Sequence, residues 1–145
     1  AFGGSAPVAM DGQHKFFRLK IPSSYISDPH LQFMSANSLE RDDVVVAISQ
    51  SGTTTALIES VKIVRKNGAK VIGIMPGETP LSNICDFPLT INVGINNRIS
   101  KPVTSRIAYT AVIDVLTMGV AQLKPEAQDH LYNIADSQRS LKIDN

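Results

Sequence analysis

The chain is 145 residues long, 43% hydrophobic and 19% charged, which is enough apolar material for one domain with a real core and too much for a disordered segment. Its 14 basic and 13 acidic residues almost cancel, to a net charge of +1, and are spread along the chain, which excludes an electrostatic footprint for nucleic acid or an anionic membrane. The single cysteine, Cys85, has no partner for an internal disulfide and no Cys or His at metal-ligand spacing, so no metal or other cofactor is expected and a reducing cytoplasm is the natural setting.

Ala1 and Phe2 run straight into Gly3-Gly4-Ser5, as the end of a strand enters its loop, so the chain reads as cut inside a first strand of something longer. Pro7 then sits in the first turn of a helix reaching about residue 20, with Val8, Phe16 and Leu19 on its apolar face. Residues 21–27 are strand-like and end at Asp28-Pro29; a short helix at 30–38 and a strand at 43–48 follow. The next helix runs through Lys66 to the stop signal Asn67-Gly68, and an apolar strand at 70–75 is broken by Pro76-Gly77. One helical turn at 80–84 precedes a last strand at 87–93, where Pro88 suits an edge position. Helices at about 103–123 and 125–141 close the chain. The first carries Asp114 within its apolar run 107–123, which is short for a bilayer crossing, and reads as a core or interface helix.

Strands alternating with helices predict an α/β fold, three-layer αβα, with right-handed crossovers and a parallel sheet. With the cut strand at its centre, the sheet is flavodoxin-like, five-stranded, of order 2-1-3-4-5, closed by two C-terminal helices. Residues 1–145 form one domain in which 124–145 is a helical extension. Such sheets bind ligands at the carboxyl ends of their first and third strands. Here those ends are Gly3-Gly4-Ser5 and the loop 49–55.

That second loop follows three valines, Ala47 and Ile48, a run suited to a strand covered on both faces. Ser49, Gln50, Ser51, Gly52, Thr53, Thr54 and Thr55 then bring only hydroxyls, an amide and one glycine before a 3.6-residue pattern begins (Leu57, Ser60/Val61, Val64). The loop therefore opens a helix, whose first N–H groups lack intrahelical partners and whose macrodipole is positive. Gly52 permits close backbone approach, and the hydroxyls supply further donors, which suits a phosphate dianion without any lysine. The alternative is that Thr54 or Thr55 merely caps the helix. One cap needs one hydroxyl, and this loop has five.

The segment S-Q-S-G-T-T fits the S-x-S-G-x-T signature of the SIS (sugar isomerase) domain, and with the G-G-S loop the resemblance covers the whole chain. More narrowly, G-G-S-A-P-V-A-M-D-G-Q-H-K-F-F-R, S-D-P-H-L-Q-F-M-S, V-V-V-A-I-S-Q-S-G-T-T and T-S-R-I-A-Y-T-A-V-I-D-V-L resemble the C-terminal effector domain of RpiR-type bacterial transcriptional regulators, most closely the hex-regulon repressor (HexR) branch. The resemblance implies a preceding helix-turn-helix domain, outside this chain, through which alone DNA is bound. It implies that Ser5 and Ser49 hold a sugar-phosphate effector, that Gln50, Ser51 and Thr54 contact its phosphate, and that Thr104 and Ser105 lie near it. For this branch the implied effector is 2-keto-3-deoxy-6-phosphogluconate. Gln50 departs from the His that many members of the branch carry, and Gln is common in sugar-converting SIS enzymes.

An isomerase, the competing class, needs a base, usually Glu, and often His or Lys to open the ring. Glu59 lies more than a turn into the helix after the phosphate loop and is expected to pair with Lys62. His14, Lys15 and Arg18 share the helix after Gly3-Gly4-Ser5 and are expected at an interface more than at a ligand. His30, beside Asp28-Pro29, is better placed, but a lone loop histidine is a surface residue more often than a catalyst. His130 reads as structural. Asp114 is expected to pair with a neighbouring base, and Arg106 stays open between anion binding and fold stabilisation. A sensor is therefore expected rather than an enzyme. The apolar residues of the closing helices, Ile107, Val112, Val115, Leu116 and Met118, exceed what one sheet face requires, so a homodimer or larger assembly is expected, with no membrane.

Overall fold

The computed structural model describes residues 1–94 and 101–139. A 3-10 turn, Gly3–Ser5, leads directly into helix α1 (Ala6–Arg18), with a proline in its first turn. Helix α2 (Pro29–Ser38) starts where the sequence signals it: Pro29 needs no N–H partner, and the Asp28 carboxylate accepts from the Leu31 N–H at 2.9 Å. Strands β1 (Val44–Ile48), β2 (Lys70–Met75) and β3 (Phe87–Thr90) are parallel in the order β1-β2-β3, with Val46 opposite Ile72 and Ile74 opposite Leu89. Helix α3 (Thr55–Lys66) crosses from β1 to β2 and ends at Asn67, where Gly68 adopts φ +90°. A 3-10 turn, Ser82–Ile84, precedes β3, and α4 (Lys101–Leu123) and α5 (Pro125–Arg139) complete the described chain.

The two faces of the sheet carry separate apolar layers, as the two-residue period of a strand requires. Ala47, Val71 and Met75 pack with Ala36 of α2 and with Leu57, Val61 and Val64 of α3. Ile48 and Ile74 point the other way, onto Val8 of α1 and Tyr109 and Ile113 of α4. Each fully buried Val, Leu or Ile contributes roughly 1.5–3 kcal/mol to these layers. Lys15 of α1 bonds to both Asp11, at 2.6 Å, and Asp114 of α4, the partner expected for that acid. Partial burial opposes the charge on Lys15, but the two carboxylates outweigh it and raise its pKa. Under the sheet, Gly73 leaves room for the Cys85 sulfur, and burial pushes the Cys85 thiol up to about 11, so it packs rather than reacts.

Three strands are present among the described residues where five were expected, and residues 21–27 do not form one of them. A strand is defined by its pairing, and this segment has almost none. A cavity of about 680 Å³ is lined by 21–26 and by the β1 edge facing away from β2. The hydrogen bonds that hold the segment are not a strand ladder: Ser23 exchanges two bonds with Gln13 of α1, at 3.3 and 3.1 Å, and Ile26 O accepts from the Ala1 nitrogen at 3.4 Å and from Gln32 Nε2 at 2.7 Å. Gln32 Nε2 also donates to Ala1 O at 3.3 Å, while its buried Oε1 has no partner among the described residues. The last strand is also shorter than the 87–93 expected, although the Ile91 N–H still reaches Met75 O at 2.9 Å. Residues 140–141, expected in the last helix, lie outside the described residues.

Candidate functional site

The loop after β1 is built as a rigid turn. Ser49 is buried, its N–H bonds to Ile74 O at 3.0 Å, and its Oγ accepts from the Gly52 N–H at 3.0 Å. Ser51 Oγ accepts from the Thr53 N–H at 3.2 Å. A hydroxyl that accepts inside the turn still has its proton to donate, so both serines can face an anion. Gly52 lies at φ +65°, and a Cβ there would meet Thr79 Oγ1 at 2.3 Å. Thr79 is itself fixed: its N–H donates to Ser82 Oγ at 2.9 Å, Ser82 Oγ donates to Thr79 O at 2.8 Å, and the Leu81 N–H bonds to Gly52 O at 3.0 Å. The Thr79–Ser82 turn therefore holds the loop from below. The sequence offers one helical turn at 80–84 here but not its bonds to Thr79 or to the loop, although two hydroxyls three residues apart after a Pro-Gly break are a turn signal.

The turn delivers α3 with its N-terminus open. Thr54 holds the N-cap position but makes no side-chain cap bond, so helix capping does not account for the hydroxyls. The first helical N–H to find a partner is Ile58, bonded to Thr54 O at 3.0 Å, so those of Thr55, Ala56 and Leu57 have no intrahelical acceptor. No acidic residue stands in the first turn. Such an end stabilises an anion through several aligned donors at once.

Beside it lies a cavity of about 250 Å³ lined by Gly4, Ser5, Gln50, Ser105, Arg106 and Tyr109. Three distant stretches meet here: the 3-10 turn before α1, the loop after β1, and the start of α4. Of the expected site residues, Ser5, Gln50 and Ser105 line this cavity together. Ser49, Ser51, Gly52, Thr53 and Thr54 form the adjoining turn, and Thr104 is half-buried on α4 without lining the cavity. Gly4, Arg106 and Tyr109 join them, the last unanticipated. Its signal was its spacing, since Ser105 and Tyr109 are one turn apart on a helix and share a face.

The carboxylate and imidazole candidates lie elsewhere. Glu59 is ion-paired with Lys62 at 2.7 Å, as expected. His14 is exposed on α1 and His30 on the first turn of α2, and neither lines this cavity. Among the described residues there is no cluster of three or more His, Cys, Asp or Glu side chains suited to a metal.

Residues 1–119 match the SIS domain family. The chain is 38% identical over 136 residues to the HTH-type transcriptional regulator HexR of Pseudomonas aeruginosa, covering 93% of this chain and 48% of that protein. It is 36% identical over 143 residues to HexR of Escherichia coli K12, covering 98% of this chain and 50% of the relative. It thus spans about half the length of these regulators. In fold it superposes on the Vibrio vulnificus NanR protein complexed with ManNAc-6P with a TM-score of 0.87, at 22% identity, over 98% of this chain and 54% of that one.

Proposed function

This chain belongs to the SIS domain family, and from that premise we propose that it is the effector-binding domain of an RpiR-type transcriptional regulator, binding a phosphorylated sugar or sugar acid. The observation that carries this proposal is the uncapped N-terminus of α3 opening beside the cavity shared by Ser5, Gln50 and Ser105. The phosphate sits on the N–H groups of residues 55–57 and the hydroxyls of the 49–54 turn. The carbon chain extends into the cavity, between Ser5 and the start of α4. Arg106, a cation in the lining, favours an anionic ligand, and 2-keto-3-deoxy-6-phosphogluconate is the effector that the resemblance to the hex-regulon branch implies. The ion pairing of Glu59 and the exposure of His14 and His30 outside the cavity lining support sensing over isomerisation.

The same proposal has architectural parts. A strand ahead of Ala1, lying in the slot between β1 and residues 21–27, gives the five-stranded order 2-1-3-4-5 and a backbone donor for Gln32 Oε1. A helix-turn-helix domain precedes that strand and carries the DNA contacts, and the protein works in the cytoplasm as a homodimer. Ligand binding then biases the arrangement of a coupled dimer.

Titration calorimetry tests the site directly. 2-Keto-3-deoxy-6-phosphogluconate is expected to bind, and Ser5→Ala and Ser49→Ala each to weaken it by about tenfold or more, from one charge-assisted hydrogen bond. Unchanged affinity in both variants would sink the site assignment. Turnover of a sugar phosphate in a coupled assay would favour an SIS-domain enzyme instead.

A further inference from the structure

Tyr109 is 1% exposed, one of the largest fully buried side chains, yet it lines the 250 Å³ cavity. Its hydroxyl makes no hydrogen bond among the described residues, and it is not one of the fully enclosed polar atoms left without a partner. Among the described residues nothing accepts its proton, and the cavity that Tyr109 lines offers space for an acceptor. Burial raises its pKa, so the phenol stays protonated and acts as a donor across the physiological range. The ring itself is accounted for by packing on Val8, Ile48 and Ile113. The hydroxyl is not, because a phenylalanine would fill the same space without an unpaired polar group.

We infer that Tyr109 is a specificity-determining residue whose hydroxyl donates a hydrogen bond to an oxygen on the carbon chain of a bound phosphosugar, not to its phosphate. This rests on the phosphosugar-binding role proposed above. The phosphate belongs at the α3 N-terminus, and residues 51–55 of that loop do not line the cavity that Tyr109 floors. Ser5 and Gln50 line the cavity with it, so a polyol or sugar-acid chain there meets donors from three elements. A site built to hydrogen-bond a ligand oxygen discriminates strongly against ligands lacking it, since the buried donor is then left unpaired.

The experiment compares the wild-type chain with Tyr109→Phe in calorimetry against 2-keto-3-deoxy-6-phosphogluconate, glucose 6-phosphate, N-acetylmannosamine 6-phosphate and inorganic phosphate, with thermal unfolding of both proteins without ligand. The expected result is an affinity loss of about tenfold for the phosphosugar the wild type binds best, with inorganic phosphate unchanged. The unliganded variant unfolds at the wild-type temperature or above, because no protein hydrogen bond is lost. Equal binding of the phosphosugar by both proteins, an equal loss for inorganic phosphate, or a lower unfolding temperature for the variant would each overturn the role of Tyr109. A wild type that binds none of the three phosphosugars would overturn the proposed function itself, before the variant is made.

Discussion

Gly52 shows how one backbone position sets the geometry of the site. At φ +65° an alanine pays the left-handed penalty, and its Cβ would lie 2.3 Å from Thr79 Oγ1 and 2.5 Å from Thr79 Cβ. Thr79 cannot retreat, since its hydroxyl accepts from the Ser82 N–H and donates to Pro76 O. Gly52→Ala is therefore expected to destabilise the fold by roughly 2–4 kcal/mol in denaturant unfolding, combining strain and overpacking. Gly119→Ala is the contrast. Its added methyl meets nothing within 4 Å in the protomer, so in the monomeric Val115→Glu background it should stabilise by up to about 1 kcal/mol through helix propensity. Equal effects from the two substitutions would show that the 49–54 turn is looser than described. The role of this loop was legible in the sequence because five hydroxyls within seven residues, after a buried strand, have few other uses. Tyr109 was hidden because, inside the apolar run of α4, an aromatic is indistinguishable from a core residue until the cavity beside it is seen.

Among the elements, Asp86 joins three. Its Oδ2 accepts from the Val71 N–H of β2 at 2.9 Å, Arg65 of α3 approaches at 3.8 Å and Lys70 at 3.7 Å, and β3 begins at the next residue. The Val71 hydrogen bond, with Lys70 and Arg65 adding to it against partial burial, holds this carboxyl below its ordinary pKa. A depressed carboxylate pKa contributes stability above the unfolded value, near 3.9, and loses it as pH falls through the folded value. Asp86→Asn is thus expected to cost about 1 kcal/mol at pH 7, and the gap from wild type to close below about pH 4 in urea unfolding. A gap that does not narrow at all between pH 5 and pH 2.5 would mean that lost packing, not charge, explains the cost. The helices and β1 to β3 could be read from the sequence because capping residues and apolar periods are local. Residues 21–27 form no strand among the described residues because a strand also needs a neighbour. That segment has strand composition, yet it faces a 680 Å³ cavity where a ladder would have to form.

At the scale of the whole molecule, α4 remains incompletely buried. Tyr109 and Ile113 face inward, but Ile107 is 69% exposed, Val115 72% and Met118 61%, a stripe along the opposite side of the helix. Met10 and Phe17 of α1, the helix packed beside it, are also exposed. A water-facing apolar patch spread over two adjoining helices is costly for a monomer and is the usual mark of a self-association surface. The cavity lies at the start of the same helix that carries this stripe, with Arg106 and Ile107 adjacent in sequence. In a dimer formed through this stripe, a ligand that draws in the N-terminal turn of α4 would shift the partner's helix as well, the coupling that the proposed effector role requires. Sedimentation equilibrium is expected to give twice the 15.7 kDa protomer mass for the wild type and the protomer mass for Val115→Glu. Val115 makes no part of the cavity lining, so that variant should still bind inorganic phosphate as the wild type does. If it remains dimeric, the self-association surface lies elsewhere, and the proposed coupling through α4 loses its physical basis.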